Sequence, residues 1–133
     1  MAAIRDALAD AGLGPADVDH VNAHGTGTPE NDKMESLGLM SVIGDRMRTV
    51  PISSNKSMIG HTLTAAGAIE AVISLLTIRY GRIPPTINYR VPDPALPLDV
   101  VAEAREAPVS RVLSNSFGFG GQNTCLVLAD EPA

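Results

Sequence analysis

The chain has 133 residues, 44% of them hydrophobic, and a formal net charge of −5 at neutral pH. This length allows one domain with a buried core, and the acidic balance argues against a protein that binds nucleic acid. The single cysteine, Cys125, excludes an internal disulfide framework and favours a cytoplasmic location. Charged Arg5 and Asp6 near the start are not typical of a secretory signal.

Helices and strands alternate in the first part of the chain. Apolar periodicity predicts, in chain order, a helix over 2–12, a strand over 17–23, a helix over 31–44, a strand over 49–54 and a helix over 62–80. The helical spacing of the second helix runs through Met34, Leu37 and Met40. The long helix is apolar nearly all round, so we expect a core helix with both sides covered. Its length and the central Glu70 argue against a membrane span.

The second part of the chain is extended. Prolines rule out a helix over 82–108, where scattered apolar residues indicate a segment that crosses the domain. Strands are predicted over 109–117 and 123–129, joined by the glycine-rich turn 118–121, which permits positive φ angles. Helices and strands in this order predict a single α/β domain with a mixed sheet packed against helices.

Two histidines follow predicted strands and stand among Gly, Ser and Thr. They are His24 and His61, and the loops at such strand ends collect at one edge of an open sheet. We therefore expect the two imidazoles to meet. Gly25 and Gly27 would let a ligand approach the backbone beside His24. The alternative for His24 is a turn histidine satisfied by backbone hydrogen bonds.

His61 is predicted to open the long helix. The positive end of the helix dipole disfavours a second positive charge there, so a neutral imidazole that stabilises an oxyanion is expected. Lys56 adds positive charge to the same loop. Its partner is predicted to be Glu35 or Asp32, and the alternative is a solvated surface ammonium.

A third segment, 114–123, combines Ser, Asn, Phe and Gly. It leads into a strand and not a helix, which argues against a dinucleotide-binding loop. Its backbone N–H groups can line an oxyanion pocket, with Phe119 as a movable wall of an apolar channel. Cys125, in the strand that follows, is interpreted as a small core residue. A metal site is not supported because no third ligand accompanies the two histidines at a suitable spacing.

These segments together resemble the C-terminal half of the β-ketoacyl-acyl-carrier-protein synthases, condensing enzymes of the thiolase-like superfamily. The resemblance covers residues 2 to about 128. Its motifs, in the family's order, are residues 22–28, 31–32 with Glu35, 55–61, 83–88 and 115–121. They are more similar to the stand-alone, elongating type II fatty-acid enzymes than to modular polyketide synthases.

The resemblance implies a fold and a reaction. The fold is the C-terminal half of the thiolase-like α/β fold without its first strand, with residues 1–133 forming one partial ketosynthase domain. The reaction is a decarboxylative Claisen condensation of malonyl carrier protein with an acyl thioester, in fatty-acid or polyketide biosynthesis. The chain itself would bind no cofactor and no metal, because the substrate is carried on the phosphopantetheine of acyl carrier protein.

The resemblance also implies residue roles. His24 and His61 would hold the malonyl thioester oxygen, and Phe119 would contribute a backbone N–H and gate the acyl channel. Lys56 and Glu35 would form an ion pair that fixes the second histidine loop. The substrate would be contacted by Thr26, Thr28, Phe117, Gly118 and Gly120.

The expected partners are acyl carrier protein, the missing N-terminal half and, as in full-length relatives, a second copy of the enzyme. The nucleophilic cysteine of the family lies in that N-terminal half, so the chain alone is expected to be an inactive piece of a longer enzyme. An uncovered apolar face on the long helix is expected to make it self-associate. The alternative is a non-catalytic ketosynthase-like subunit that binds a partner or acyl carrier protein.

Overall fold

The computed structural model describes residues 1–131, so the predicted domain range of 1–133 ends outside the described residues. The elements in chain order are α1 (Ala2–Asp10), β1 (His20–Asn22), α2 (Pro29–Ile43), β2 (Pro51–Ser53), α3 (Lys56–Ile59), α4 (Ala66–Tyr80), β3 (Arg82–Ile83), β4 (Asp99–Val100), β5 (Arg105–Glu106), β6 (Arg111–Phe117) and β7 (Asn123–Ala129). The predicted alternation of helices and strands is confirmed, with shorter strands. Residues 82–108 are extended, as predicted, and contribute three two-residue strands.

The main sheet has five strands in the order β4-β2-β1-β6-β7. β1, β2, β4 and β6 run parallel, while β7 returns antiparallel beside β6. The predicted mixed sheet is therefore confirmed. Because β1 and β2 are parallel neighbours, the loops that follow them leave from the same edge of the sheet.

Helices cover both faces of this sheet. Adjacent residues on a strand point to opposite faces, and Val112 and Leu113 of β6 belong to different apolar clusters. Leu113 packs in the main core with residues of α1 and α2, whereas Val112 packs with Ile83 and, from α4, Ile78. The site thus lies on a sheet supported from both sides.

The apolar residues that gave α2 its helical spacing do not form its buried face. Met34 and Leu37 are 62% and 49% exposed, and Met40 is half-buried. The buried positions of the helix are Glu35, Ser36, Gly38, Leu39 and Ile43. Glu35 can share this buried face with Leu39 and Ile43 because its carboxylate finds several N–H donors, which apolar periodicity in the sequence does not reveal.

α4 begins at Ala66, after a 3-10 turn over Leu63–Ala65, and only one of its sides is covered. The buried residues are Ala66, Glu70, Ser74 and Thr77, while Val72, Leu75, Leu76 and Tyr80 are exposed. The expected buried helix is thus covered on one side only, and the uncovered apolar face that was expected for the chain without its partner half is present. By length and composition alone, residues 63–80 are long and apolar enough to cross a membrane, and the covered side of this helix buries the carboxylate of Glu70.

Candidate active site

The loops after β1 and β2 bring two imidazole rings together. Their strands pair in register, with Val21 opposite Ile52 and Asn22 opposite Ser53. The ring centroids of His24 and His61 are 5.4 Å apart, with an interplanar angle of 84°. The predicted convergence of the two histidines is confirmed by this geometry, although they are far apart in sequence.

His24 is a buried, neutral base. Its exposed fraction is 7%, and its ring centroid is 6.0 Å from that of Phe117. Burial lowers the pKa of His24 to about 4, helped by the positive charge of Lys56 and by His61. Its Nδ1 has no hydrogen-bond partner within residues 1–131. At neutral pH the ring is therefore an uncharged imidazole.

Glu35 fixes the backbone beside His24. Its carboxylate accepts the backbone N–H groups of His24 and Gly25, both at 2.9 Å, and the side-chain amide of Asn115 at 3.0 Å. Asn31 adds a longer contact of 3.4 Å. Burial raises the pKa of the Glu35 carboxyl, and these donors oppose the rise. The carboxylate joins α2, the His24 loop and β6 at one point.

The predicted ion pair between Lys56 and Glu35 is wrong, and so is the alternative with Asp32. Lys56 pairs with Glu70 of α4, and the two side chains are 4% and 1% exposed. Burial raises the pKa of the Glu70 carboxyl, and the hydrogen bond from Lys56 opposes this. A lone carboxylate in an apolar helix was the signal for this partner, because a buried carboxylate needs a cation or several donors.

His61 lies between α3 and the turn Leu63–Ala65, so its predicted place in the first turn of the long helix is wrong. Its side chain is exposed, and its Nδ1 accepts the backbone N–H of Leu63 at 3.2 Å. Leu63 adopts a positive φ of 53°, which is uncommon for a residue with a side chain. With Nδ1 occupied as an acceptor, the neutral ring carries its proton on Nε2.

Buried amides connect the segments that lead into the two histidine loops. The Nδ2 of Asn55 donates to the Oδ1 of Asn22 at 3.0 Å, and the Nδ2 of Asn22 donates to Ser74 at 3.0 Å. These contacts link β1, α3 and α4. Sequence reasoning missed the roles of Asn22, Asn55 and Asn115, since nothing in the local pattern shows which amides are buried.

A groove of about 1170 Å³ opens beside the site. Its wall includes His61, Lys56, Gly25 and Thr26, and its apolar part includes Leu37, Ile87, Leu96 and Leu98. The hydroxyls of Thr26 and Thr28 lie 3.0 Å apart. Thr26 and His61 line the groove, whereas Thr28 and His24 do not. Polar and apolar groups are thus available to an extended ligand that ends near the histidines.

The β6–β7 turn places its two phenylalanines differently. Phe119 is fully exposed and is not among the residues lining the groove, so its side chain does not form the predicted wall here. Phe117 stands against His24 instead. Gly120 and Gly121 have φ angles of 83° and 84°, which confirms the predicted need for glycine in this turn.

Cys125 is a poor nucleophile in this position. Its side chain is half-buried and packs against the main core, as predicted. Burial raises the pKa of the thiol to about 12, and the charge of Glu35 contributes. The thiol therefore stays protonated near neutral pH, whereas nucleophilic attack needs the thiolate.

Comparison with known proteins assigns the chain to a family. The family model for the β-ketoacyl synthase C-terminal domain matches residues 1–90. The chain belongs to the β-ketoacyl synthase family. Over 127 residues it is 50% identical to 3-oxoacyl-[acyl-carrier-protein] synthase 2 of Coxiella burnetii. The aligned part covers 95% of this chain and 31% of that protein.

Solved ketosynthases share this fold. The ishigamide ketosynthase/chain length factor superposes with a TM-score of 0.92 at 46% identity, covering 96% of this chain and 32% of that one. A type II polyketide synthase acyl-carrier protein in complex with its ketosynthase gives a TM-score of 0.91 at 40% identity. The match covers 95% of this chain and 31% of that one. This β-ketoacyl synthase chain has the expected thiolase-like α/β architecture and spans about a third of the length of the proteins it matches.

Proposed function

We propose that this chain supplies the two-histidine part of a β-ketoacyl-acyl-carrier-protein synthase. In the proposed reaction the bond between the malonyl α-carbon and its carboxylate breaks, and carbon dioxide leaves. The resulting enolate attacks an acyl thioester on a cysteine outside this sequence, forms the carbon–carbon bond and expels the cysteine sulfur. The observation that carries the proposal is the 5.4 Å separation of the His24 and His61 rings.

Two imidazole N–H donors suit this reaction. As carbon dioxide leaves, negative charge develops on the thioester oxygen, and N–H donors in place beforehand stabilise it. His24 is uncharged above its pKa of about 4, so it can donate a hydrogen bond without carrying a labile extra proton. His61, with Nδ1 accepting from Leu63, presents Nε2–H as the second donor.

The surrounding residues have supporting roles in the proposal. Lys56, paired with Glu70, adds positive charge beside the histidines and fixes the loop that carries His61. The hydroxyls of Thr26 and Thr28 contact the phosphopantetheine arm. Phe119 donates its backbone N–H to the acyl oxyanion, and its side chain moves to gate the channel. The acyl end of the pocket is formed by Phe117, Gly118 and Gly120.

The proposed partners are acyl carrier protein, the remainder of the catalytic domain and a second copy of the enzyme. The solved complex of an acyl-carrier protein with its ketosynthase supports the first of these. We also propose a cytoplasmic location, which the single, unpaired cysteine supports.

A graft tests the proposed function. This chain replaces the matching third of the Coxiella burnetii relative, and malonyl decarboxylation and condensation are measured separately. We expect the wild-type graft to perform both. His24→Ala and His61→Ala should each lower decarboxylation by about 100-fold or more, the magnitude of losing one oxyanion donor.

Transfer of the acyl group to the nucleophilic cysteine is the internal control, because it precedes decarboxylation and should survive His61→Ala. Thermal unfolding of each variant establishes that it folds. Wild-type decarboxylation in His61→Ala would contradict the proposal. A folded wild-type graft that binds acyl carrier protein without decarboxylating malonate would favour the alternative, a non-catalytic ketosynthase-like subunit.

A further inference from the structure

A short proline-led segment lies against the loop that carries Lys56 and His61. The Oγ1 of Thr86 accepts the backbone N–H of Ser54 at 2.9 Å, and the N–H of Ile87 donates to the Oγ of Ser57 at 3.0 Å. Ser57 in turn donates to the carbonyl of Ser54 at 2.8 Å. Two successive residues of the segment therefore hold both ends of the first turn that leads into α3.

The segment is itself anchored to the sheet. The N–H of Thr86 donates to the carbonyl of Val101 at 2.7 Å, and the N–H of Val101 donates to Ile52 of β2 at 2.9 Å. Val101 is completely buried. Pro84 and Pro85 have φ fixed by their rings, which reduces the freedom of the backbone that presents Thr86. The position of the threonine hydroxyl is thus fixed relative to the sheet.

The same contacts reach the His24 loop through Ser54. The Oγ of Ser54 donates to the carbonyl of Gly25 at 2.7 Å. The approach is so close that a Cβ on Gly25 would lie 2.5 Å from the Cβ of Ser54. Ser54 belongs to the loop that leads to His61 and also contacts the His24 loop. It therefore connects Thr86 with both histidine loops.

We propose that Thr86 is a positioning residue that sets the separation of His24 and His61. The inference rests on the proposed function, since that separation matters only if both rings serve one oxyanion. The His61 ring is exposed, and its backbone lies outside the strands of the sheet, so external contacts must fix it. Small displacements of catalytic groups have large kinetic effects, about 100-fold for 1 Å.

The test compares three threonine variants in the grafted enzyme. Thr86→Val keeps the shape of the side chain but removes the hydroxyl that accepts the Ser54 N–H. Thr86→Ser keeps that hydroxyl. Thr49→Val is the matched control, because it removes the hydrogen bond from a threonine hydroxyl to the carbonyl of Arg46. This contact lies before β2, away from the loops that carry the histidines. The readouts are the rate of acyl transfer to cysteine, and kcat and KM for malonyl decarboxylation.

We expect Thr86→Val to lower kcat for decarboxylation by about 10- to 100-fold, with KM and acyl transfer within about twofold of wild type. Thr86→Ser should restore most of the rate, and Thr49→Val should match wild type. Equal losses in both half-reactions, or a Thr86→Val enzyme as fast as wild type, would overturn the inference.

A second variant keeps the inference testable where Thr86→Val does not fold. Ser57→Ala removes the other contact and should lower kcat by about three- to tenfold, so a wild-type kcat in that variant overturns the inference. His61→Ala separates the two proposals. If it decarboxylates normally, the proposed function fails; if it is inactive while Thr86→Val and Ser57→Ala are normal, only the positioning role fails.

Discussion

The His24 and His61 loops follow neighbouring parallel strands, yet they are held in different ways. Glu35 binds the backbone N–H of His24 directly, and the ring is buried against Phe117. The His61 ring is exposed, and its loop is fixed through the buried pair of Lys56 and Glu70 and through contacts with 86–87. One histidine is fixed at its own backbone and the other through its neighbours along the chain.

This difference separates two ways of making an active site rigid. Around His24 the local backbone conformation and a buried carboxylate determine the ring position, so small backbone changes should matter most. Around His61 the position depends on side chains that reach other elements, so the loss of a distant partner should matter most. Each kind of loop can be disturbed separately.

The largest effect is expected from breaking the buried ion pair of the His61 loop. Lys56→Met leaves the Glu70 carboxylate without its cation, and we expect the free energy of unfolding to fall by about 3–5 kcal/mol, measured by urea denaturation. Lys33→Met, at an exposed position, is the control and should stay within about 0.5 kcal/mol. A double Lys56→Met/Glu70→Leu variant should recover part of the loss, and no recovery would argue against an uncompensated charge.

A smaller effect is expected from the backbone of the His24 loop. Gly25→Ala places a methyl group 2.5 Å from Ser54 at a φ of 42°, so strain and overpacking should together cost about 2–4 kcal/mol. Gly27→Ala, at a φ of 74° with open space around it, should cost only about 1–2 kcal/mol. Equal unfolding free energies for the two variants would mean that the close approach to Ser54 is unimportant.

The smallest effect at neutral pH concerns the buried imidazole. The folded-state pKa of His24 is about 4, below the ordinary histidine value of 6.5. Burial lowers the pKa of His20 to about 4 as well. Between these values the unfolded chain binds protons that the folded chain does not, so stability should fall as pH drops from about 6.5 to about 4. NMR titration of the His24 ring should give a midpoint near pH 4, and a midpoint near pH 6.5 would contradict its burial.

The sequence predicted much of the fold and part of the site. Glycine, serine and threonine around His24 and His61, placed after apolar strands, were sufficient to predict that the rings meet, because parallel neighbouring strands deliver their loops to one edge. The partner of Lys56 had a weaker sequence signal, the lone carboxylate in the apolar helix, and that signal did not decide between the two glutamates. Glu35 and Glu70 are both carboxylates on helices, and only packing shows that Glu35 is already satisfied by N–H donors.

By itself, the amino-acid sequence determined the order of helices and strands, the glycines of the β6–β7 turn and the residue types at the strand ends, since these depend on local periodicity and on backbone freedom. Only the tertiary structure decided which face of α2 is buried, which carboxylate neutralises Lys56 and that His24 is buried while His61 is exposed. These depend on contacts between residues distant in sequence, where burial and the supply of hydrogen-bond donors select the partner.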